Sequence, residues 1–124
     1  PMQAYVSVSD IVDELHSFII SFWNSQSPAC LQQIEILKAV AENYGPQGLG
    51  VISVAVLDDP KSALETAEKY GMKWPQINNV EPALVDEYGF RDLPVTLLVS
   101  PDGVIVKRED GLGTAVFESI QTYL

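Results

Sequence analysis

Apolar and polar positions along this chain switch between two periods, and each switch marks an element. Phe18-Ile19-Ile20-Ser21-Phe22-Trp23 is a short apolar run rich in β-formers, which predicts a strand covered on both faces. Directly after it, Cys30, Ile34, Leu37, Ala41 and Tyr44 recur at three- and four-residue steps, one stripe of a helix. Ser27 stands as its N-cap, Pro28 opens it, and Gly45-Pro46 stops it. Val51 to Leu57 reads as a second buried strand, so the strand–helix–strand unit predicts a right-handed parallel crossover. The grammar then repeats. Asp59 caps and Pro60 opens a helix whose stripe is Ala63, Leu64, Ala67 and Tyr70, ended by Gly71, with Glu65 and Lys69 paired on its wet face. Trp74 to Val80 is a weak strand interrupted by Pro75, so it belongs at a sheet edge or in a loop. Pro82 to Tyr88 predicts about two helical turns. Val95–Val99 and Val104–Lys107 flank Ser100-Pro101-Asp102-Gly103, a hairpin signal. Thr114 caps a last helix with Val116, Phe117, Ile120 and Leu124 on its apolar side. The order is α/β, a sheet with helices on both faces.

Length and charge narrow the function. At 124 residues the chain predicts a single domain over residues 1–124, whose N-terminus could have been cut from a longer protein. The formal net charge of −10 repels phosphate backbones and anionic lipid, so nucleic acid and membrane are poor partners. No apolar stretch approaches the ~20 residues that span a bilayer, and residues 1–16 show no signal peptide. One cysteine, Cys30, and one histidine, His16, cannot build a structural zinc site, and no cofactor is foreseen. His16 reads as a surface residue. Gly48-Leu49-Gly50 and Gly111-Leu112-Gly113 lack a phosphate-loop context and read as turns. Asp58-Asp59, Asp86-Glu87 and Glu109-Asp110 sit at caps and turns and read as solvated surface, not as an acid–base dyad.

The candidate chemistry gathers between the first strand and the first helix. Ser27 is among the best N-cap residues, its oxygen reaching the amide of Ala29 or Cys30. Cys30 has two readings. On the apolar stripe it is a buried packing residue; in the first helical turn, the helix dipole favours its thiolate.

Phe22-Trp23-Asn24-Ser25-Gln26-Ser27-Pro28-Ala29-Cys30 resembles the F-W-x-x-x-C-x-x-C corner of the thioredoxin superfamily, with Ser27 in place of the first cysteine. Asp92-Leu93-Pro94-Val95-Thr96-Leu97-Leu98-Val99 resembles that superfamily's cis-proline strand, and residues 59–80 resemble the insertion of extracytoplasmic thiol–disulfide oxidoreductases of the TlpA/ResA type. The resemblance runs from about Ser9 to Leu124. It implies a thioredoxin-like fold, a cis Leu93–Pro94 bond, and a site in which Ser27 and Cys30 hold the catalytic positions. Trp23, Pro28, Leu93 and Pro94 would then border a bound thiol- or disulfide-containing protein or small thiol. It also implies a compartment outside the cytoplasm. Two positions depart from the superfamily. Ser27 cannot attack a disulfide, and Ser21 stands where thioredoxins proper carry a buried acid. A two-thiol cycle within this chain is therefore excluded, and any redox chemistry runs through Cys30. A rival reading is a binding module without thiol chemistry. Another is a one-cysteine peroxidase, since Ser27-Pro28-Ala29-Cys30 has the Thr/Ser-x-x-Cys spacing of peroxiredoxins, although Trp23 replaces their proline and Arg91 would be the only nearby cation. An engineered cysteine-to-serine replacement would leave the same string.

Overall fold

A computed structural model describes residues 17–79 and 92–124. The helix expected at Pro82–Tyr88, and both His16 and Arg91, lie outside the described residues. Five strands form one mixed sheet. They are β1 (Ser17–Trp23), β2 (Leu49–Val56), β3 (Gln76–Asn79), β4 (Val95–Val99) and β5 (Ile105–Asp110), in the order β3-β2-β1-β4-β5. β1, β2 and β3 run parallel, and β4 and β5 add antiparallel. The foreseen crossover therefore joins parallel neighbours, and the weak strand is indeed an edge. The hairpin closes through the Gly103 amide on the Ser100 carbonyl at 2.9 Å.

Helix α1 (Pro28–Tyr44) follows β1, and α2 (Pro60–Lys69) follows β2. Both begin as their caps foretell: the Asp59 carboxylate accepts from the Ser62 amide at 3.0 Å. α2 ends in a Schellman arrangement, with Met72 N–H on the Ala67 carbonyl and Gly71 N–H on that of Glu68. Gly71 takes φ +68, a conformation that strains any residue with a Cβ. The final helix is two short turns, α3 (Ala115–Glu118) and α4 (Ile120–Tyr123). Thr114 makes no side-chain cap there. Glu109 takes over that role, accepting the Val116 amide at 3.4 Å.

Three other expectations need correction. Leu64 lies on the outer face of α2 at 59% exposure, so only Ala63 and Ala67 of the expected stripe are buried. Glu65 meets Lys61 rather than Lys69, whose ammonium lies over the Tyr70 ring. The last strand, expected at Val104–Lys107, starts at Ile105 and runs on to Asp110, and Val104 and Ile105 are both exposed.

Alternation along the strands gives the sheet two apolar faces, as the β1 burial shows at all seven residues. Phe18, Ile20, Phe22, Ile52, Val54 and Val99 belong to one cluster. Ile19, Val51 and Leu98 face the other way, against Leu37 and Val40 of α1 and against Val116, Phe117 and Ile120. Each fully buried side chain of this size contributes roughly 1.5–3 kcal/mol. The described helices all pack on this second face.

One row of that face is polar. Ser21 pairs with Ser53 and with Thr96, Ser53 with Gln76, and Thr96 with Glu109, so the row crosses all five strands. Buried Gln33 of α1 donates to Thr96 Oγ1 and to the Gly113 carbonyl, each at 3.4 Å. The Trp74 indole N–H donates to Ser53 Oγ at 2.7 Å.

Candidate functional site

The site lies where β1 ends and α1 begins. After Trp23 the chain must leave the sheet, turn and start a helix, so its backbone donors need partners outside any ladder. Ser27 supplies the first of these: in an extended conformation (φ −95, ψ 117), its hydroxyl oxygen accepts from the Cys30 amide at 3.4 Å. The Ser27 amide itself donates to the Asn24 carbonyl at 3.1 Å. Pro28 is exposed at the first helical position, where its missing N–H has no bond to lose.

Cys30 points inward. Its residue is 1% exposed and packs with Trp23, Ile34, Ala55, Ala63, Ala67 and Met72. Burial pushes the thiol up from its ordinary value; hydrogen bonding by the Ser27 side chain and the Asn24 backbone pulls it down, and the Asp58 carboxylate adds to the rise. Desolvation therefore outweighs these hydrogen bonds. Of the two readings of Cys30, the packed thiol describes its surroundings.

Trp23 is 3% exposed, with its indole N–H lacking a partner among the described residues, so it backs the corner and presents no open face. Leu93 is half-buried against the Trp23–Cys30 cluster, and Pro94 behind it is buried. The Leu93–Pro94 bond is cis. Since Phe22 pairs with Val95, the same antiparallel register carries Trp23 toward Pro94. The Pro94 carbonyl accepts the Gly111 amide at 2.7 Å, which fixes the start of β4 to the end of β5. The structure thus brings Ser27, Cys30, Trp23 and Leu93 together at one end of the sheet. Pro28 and Leu93 offer accessible surface there, while Trp23, Cys30 and Pro94 support it from within. Among the described residues no three His, Cys, Asp or Glu side chains gather as metal ligands.

Three residues of the corner escaped the sequence reading. Asn24 donates from Nδ2 to the Val56 and Leu57 carbonyls, at 3.0 and 3.2 Å, and accepts the Gln26 amide at 2.8 Å. Ser25 gives both its amide (2.7 Å) and its hydroxyl (2.9 Å) to the Asp58 carboxylate. Asp58, expected in solvent, is 5% exposed. The neighbour that enables this is Leu57, which adopts φ +50 and turns outward at 54% exposure. An Asx or Ser beside a helix start was the only local signal, and the partner lies 33 residues away.

Comparison with known proteins places this geometry. The chain is 27% identical over 92 residues to the thiol-disulfide oxidoreductase ResA of Halalkalibacterium halodurans, covering 74% of this chain and 52% of that protein. The ResA of Bacillus subtilis is 23% identical over 95 residues, covering 77% and 53%. The chain thus spans about half the length of the curated relatives it matches. The thioredoxin domain of a thiol-disulfide oxidoreductase from Bacteroides vulgatus superposes with a TM-score of 0.81 at 18% identity, over 95% of this chain and 84% of that one, which shows the thioredoxin-like fold. Among the described residues no helix is long and apolar enough to cross a membrane. The AhpC/TSA family model matches residues 3–108, so the chain that carries the Ser27–Cys30 corner, similar in sequence to ResA proteins and thioredoxin-like in fold, belongs to the AhpC/TSA family.

Proposed function

We propose that this protein is an altered thiol–disulfide oxidoreductase whose corner receives a thiol- or disulfide-containing polypeptide or small thiol, with all redox chemistry confined to Cys30. The observation that carries this reading is Ser27 at the exposed end of α1 with its hydroxyl on the Cys30 amide, and Cys30 buried behind it. A hydroxyl neither ionises near neutral pH nor forms a disulfide, so a cycle between positions 27 and 30 is closed. What remains is a one-thiol step. The Cys30 thiolate attacks one sulfur of a partner disulfide, a Cys30–partner disulfide forms, and the other partner sulfur leaves as a thiolate. A thiol from outside the chain must then release the partner. Burial keeps the thiolate scarce and makes this step slow. Pro28 and Leu93 supply the contact surface, and Trp23 and Pro94 hold it in place. The resemblance to ResA-type proteins supports a site of action outside the cytoplasm.

A second reading, a binding module with no thiol chemistry, draws on the burial of Cys30 alone. Two measurements separate them. Cys30 in the folded chain should form a mixed disulfide with an aromatic disulfide reagent slowly but measurably, and Ser27→Cys should create a 27–30 bridge and reduce insulin in the presence of dithiothreitol. Complete protection of Cys30 until denaturation leaves the binding module. A Ser27→Cys variant that folds without bridging refutes the corner as the redox site.

A further inference from the structure

The segment after β2 is built against ordinary preference. Leu57, apolar, is exposed at 54%, and Asp58, charged, is buried at 5%. Leu57 holds φ +50, the left-handed region, which strains a residue with a Cβ. A carboxylate out of water is also unfavourable unless its oxygens are bonded. Both of Asp58's are, and both bonds go to Ser25 of the corner. The preceding carbonyls, of Val56 and Leu57, accept from Asn24 of the same corner. Every one of these bonds joins the turn before α1 to the end of β2. The turn they secure carries the Asn24 carbonyl that receives the Ser27 amide, and the Ser27 hydroxyl accepts the amide of the buried Cys30.

We propose that Asp58 is the positioning residue of the Ser27–Cys30 corner: through Ser25 it clamps the Asn24–Gln26 turn to the end of β2 and keeps Cys30 buried. Its carboxylate also opposes the formation of a second negative charge on the sulfur. The inference rests on the reading of this corner as the redox site. Among the described residues, the groups acting on the sulfur are the Ser27 hydroxyl, the Asn24 backbone and the Asp58 carboxylate, which is the only charged one. The clamp and the charge are separable. Asp58→Asn keeps the shape and can still accept the Ser25 amide and donate to its hydroxyl, but removes the charge. Asp58→Ala removes both. Ser25→Ala keeps the charge and the amide bond and loses the hydroxyl bond.

The single cysteine makes the test clean, because selective ¹³C labelling gives one thiol resonance whose shift reports protonation without any need for solvent access. Alkylation of the folded chain by iodoacetamide reports cover. Asp58→Ala should raise the alkylation rate by about tenfold or more, as expected when buried bonds to a charged group are lost, and Ser25→Ala should raise it by less. Asp58→Asn should stay within about threefold of the natural chain in alkylation at neutral pH, yet shift the Cys30 titration toward lower pH, an effect no merely structural role produces. If Asp58→Ala fails to fold, Ser25→Ala and Asp58→Asn still decide. A Cys30 titration unmoved in Asp58→Asn overturns the charge role, and alkylation unmoved in Ser25→Ala and Asp58→Ala overturns the clamp. None of these readouts uses a partner or turnover, so the inference can fail while Ser27→Cys still bridges, and the redox reading can fail while the clamp stands.

Discussion

The burial of Cys30 makes its contribution to stability depend on pH, and Cys30→Ala isolates that contribution. At neutral pH the substitution removes a thiol packed among Trp23, Ile34, Ala55, Ala63, Ala67 and Met72, and should cost about 1–2 kcal/mol from lost transfer and a small cavity. The folded thiol is held above its ordinary value, chiefly by desolvation. The unfolded chain therefore releases this proton first, near pH ~8.5. Below that pH both states hold it and the full contribution is present. Above it the unfolded state binds fewer protons than the folded one, and stability falls by up to roughly 1.4 kcal/mol per pH unit until the folded thiol ionises as well. Tyrosines and lysines titrate in both proteins and cancel in the difference. Urea denaturation followed by tryptophan fluorescence, in reductant at pH 7 to 10.5, should show the natural chain losing its advantage over Cys30→Ala as pH rises. A gap that is constant, or that widens, would falsify the buried-thiol account and restore a thiolate favoured by the helix terminus.

Three further outcomes are expected. Leu57→Asn should stabilise by about 0.5–1 kcal/mol, because Asn tolerates the left-handed region and a half-exposed leucine loses little; a lower thermal midpoint would show that φ +50 carries no strain. Gln33→Leu should change stability by less than about 1 kcal/mol despite full burial, since Oε1 has no partner among the described residues and both Nε2 bonds are long; a loss of 3 kcal/mol or more in denaturant would contradict that. Hydrogen peroxide should oxidise Cys30 no faster than a free thiol, and rapid single-turnover formation of sulfenic acid, trapped by dimedone, would promote the peroxidase reading.

What was legible in the sequence was local. Ser27-Pro28 and Asp59-Pro60 announce two helix starts because a capping oxygen and a proline act within one turn of their own backbone. The apolar run at residues 18–23 announces a central strand because no exposed strand would carry it. What failed was set by distant partners. Asp58-Asp59 looks like one solvated pair, yet Asp59 caps α2 while Asp58 is drawn inward by Ser25. Gln33 looks like a polar residue beside an apolar stripe, and its burial depends on Thr96, 63 residues on. Leu64 fits the stripe of α2 by spacing, but only the narrow side that carries Ala63 and Ala67 meets the sheet. At the candidate site the motif located Ser27, Cys30 and Leu93–Pro94, whereas the direction of the thiol followed only from packing.

The polar row across the sheet bears on which misaligned structures the chain can adopt. A strand shifted by one residue turns its apolar set to the wrong face, so alternation alone guards against odd displacements. Displacements of two keep every face correct, and alternation is blind to them. The row is not. Shifting β1 by two against β2 sets Ser21 beside Val51 or Ala55, and the same shift against β4 sets it beside Leu98 or Pro94. Ser53, held by the Trp74 indole, and Thr96, held by Gln33, would then each face a hydrocarbon in place of a hydroxyl. This row of five polar side chains thus acts as a vernier for strand alignment, penalising even-numbered errors that the hydrophobic pattern of the same strands lets pass.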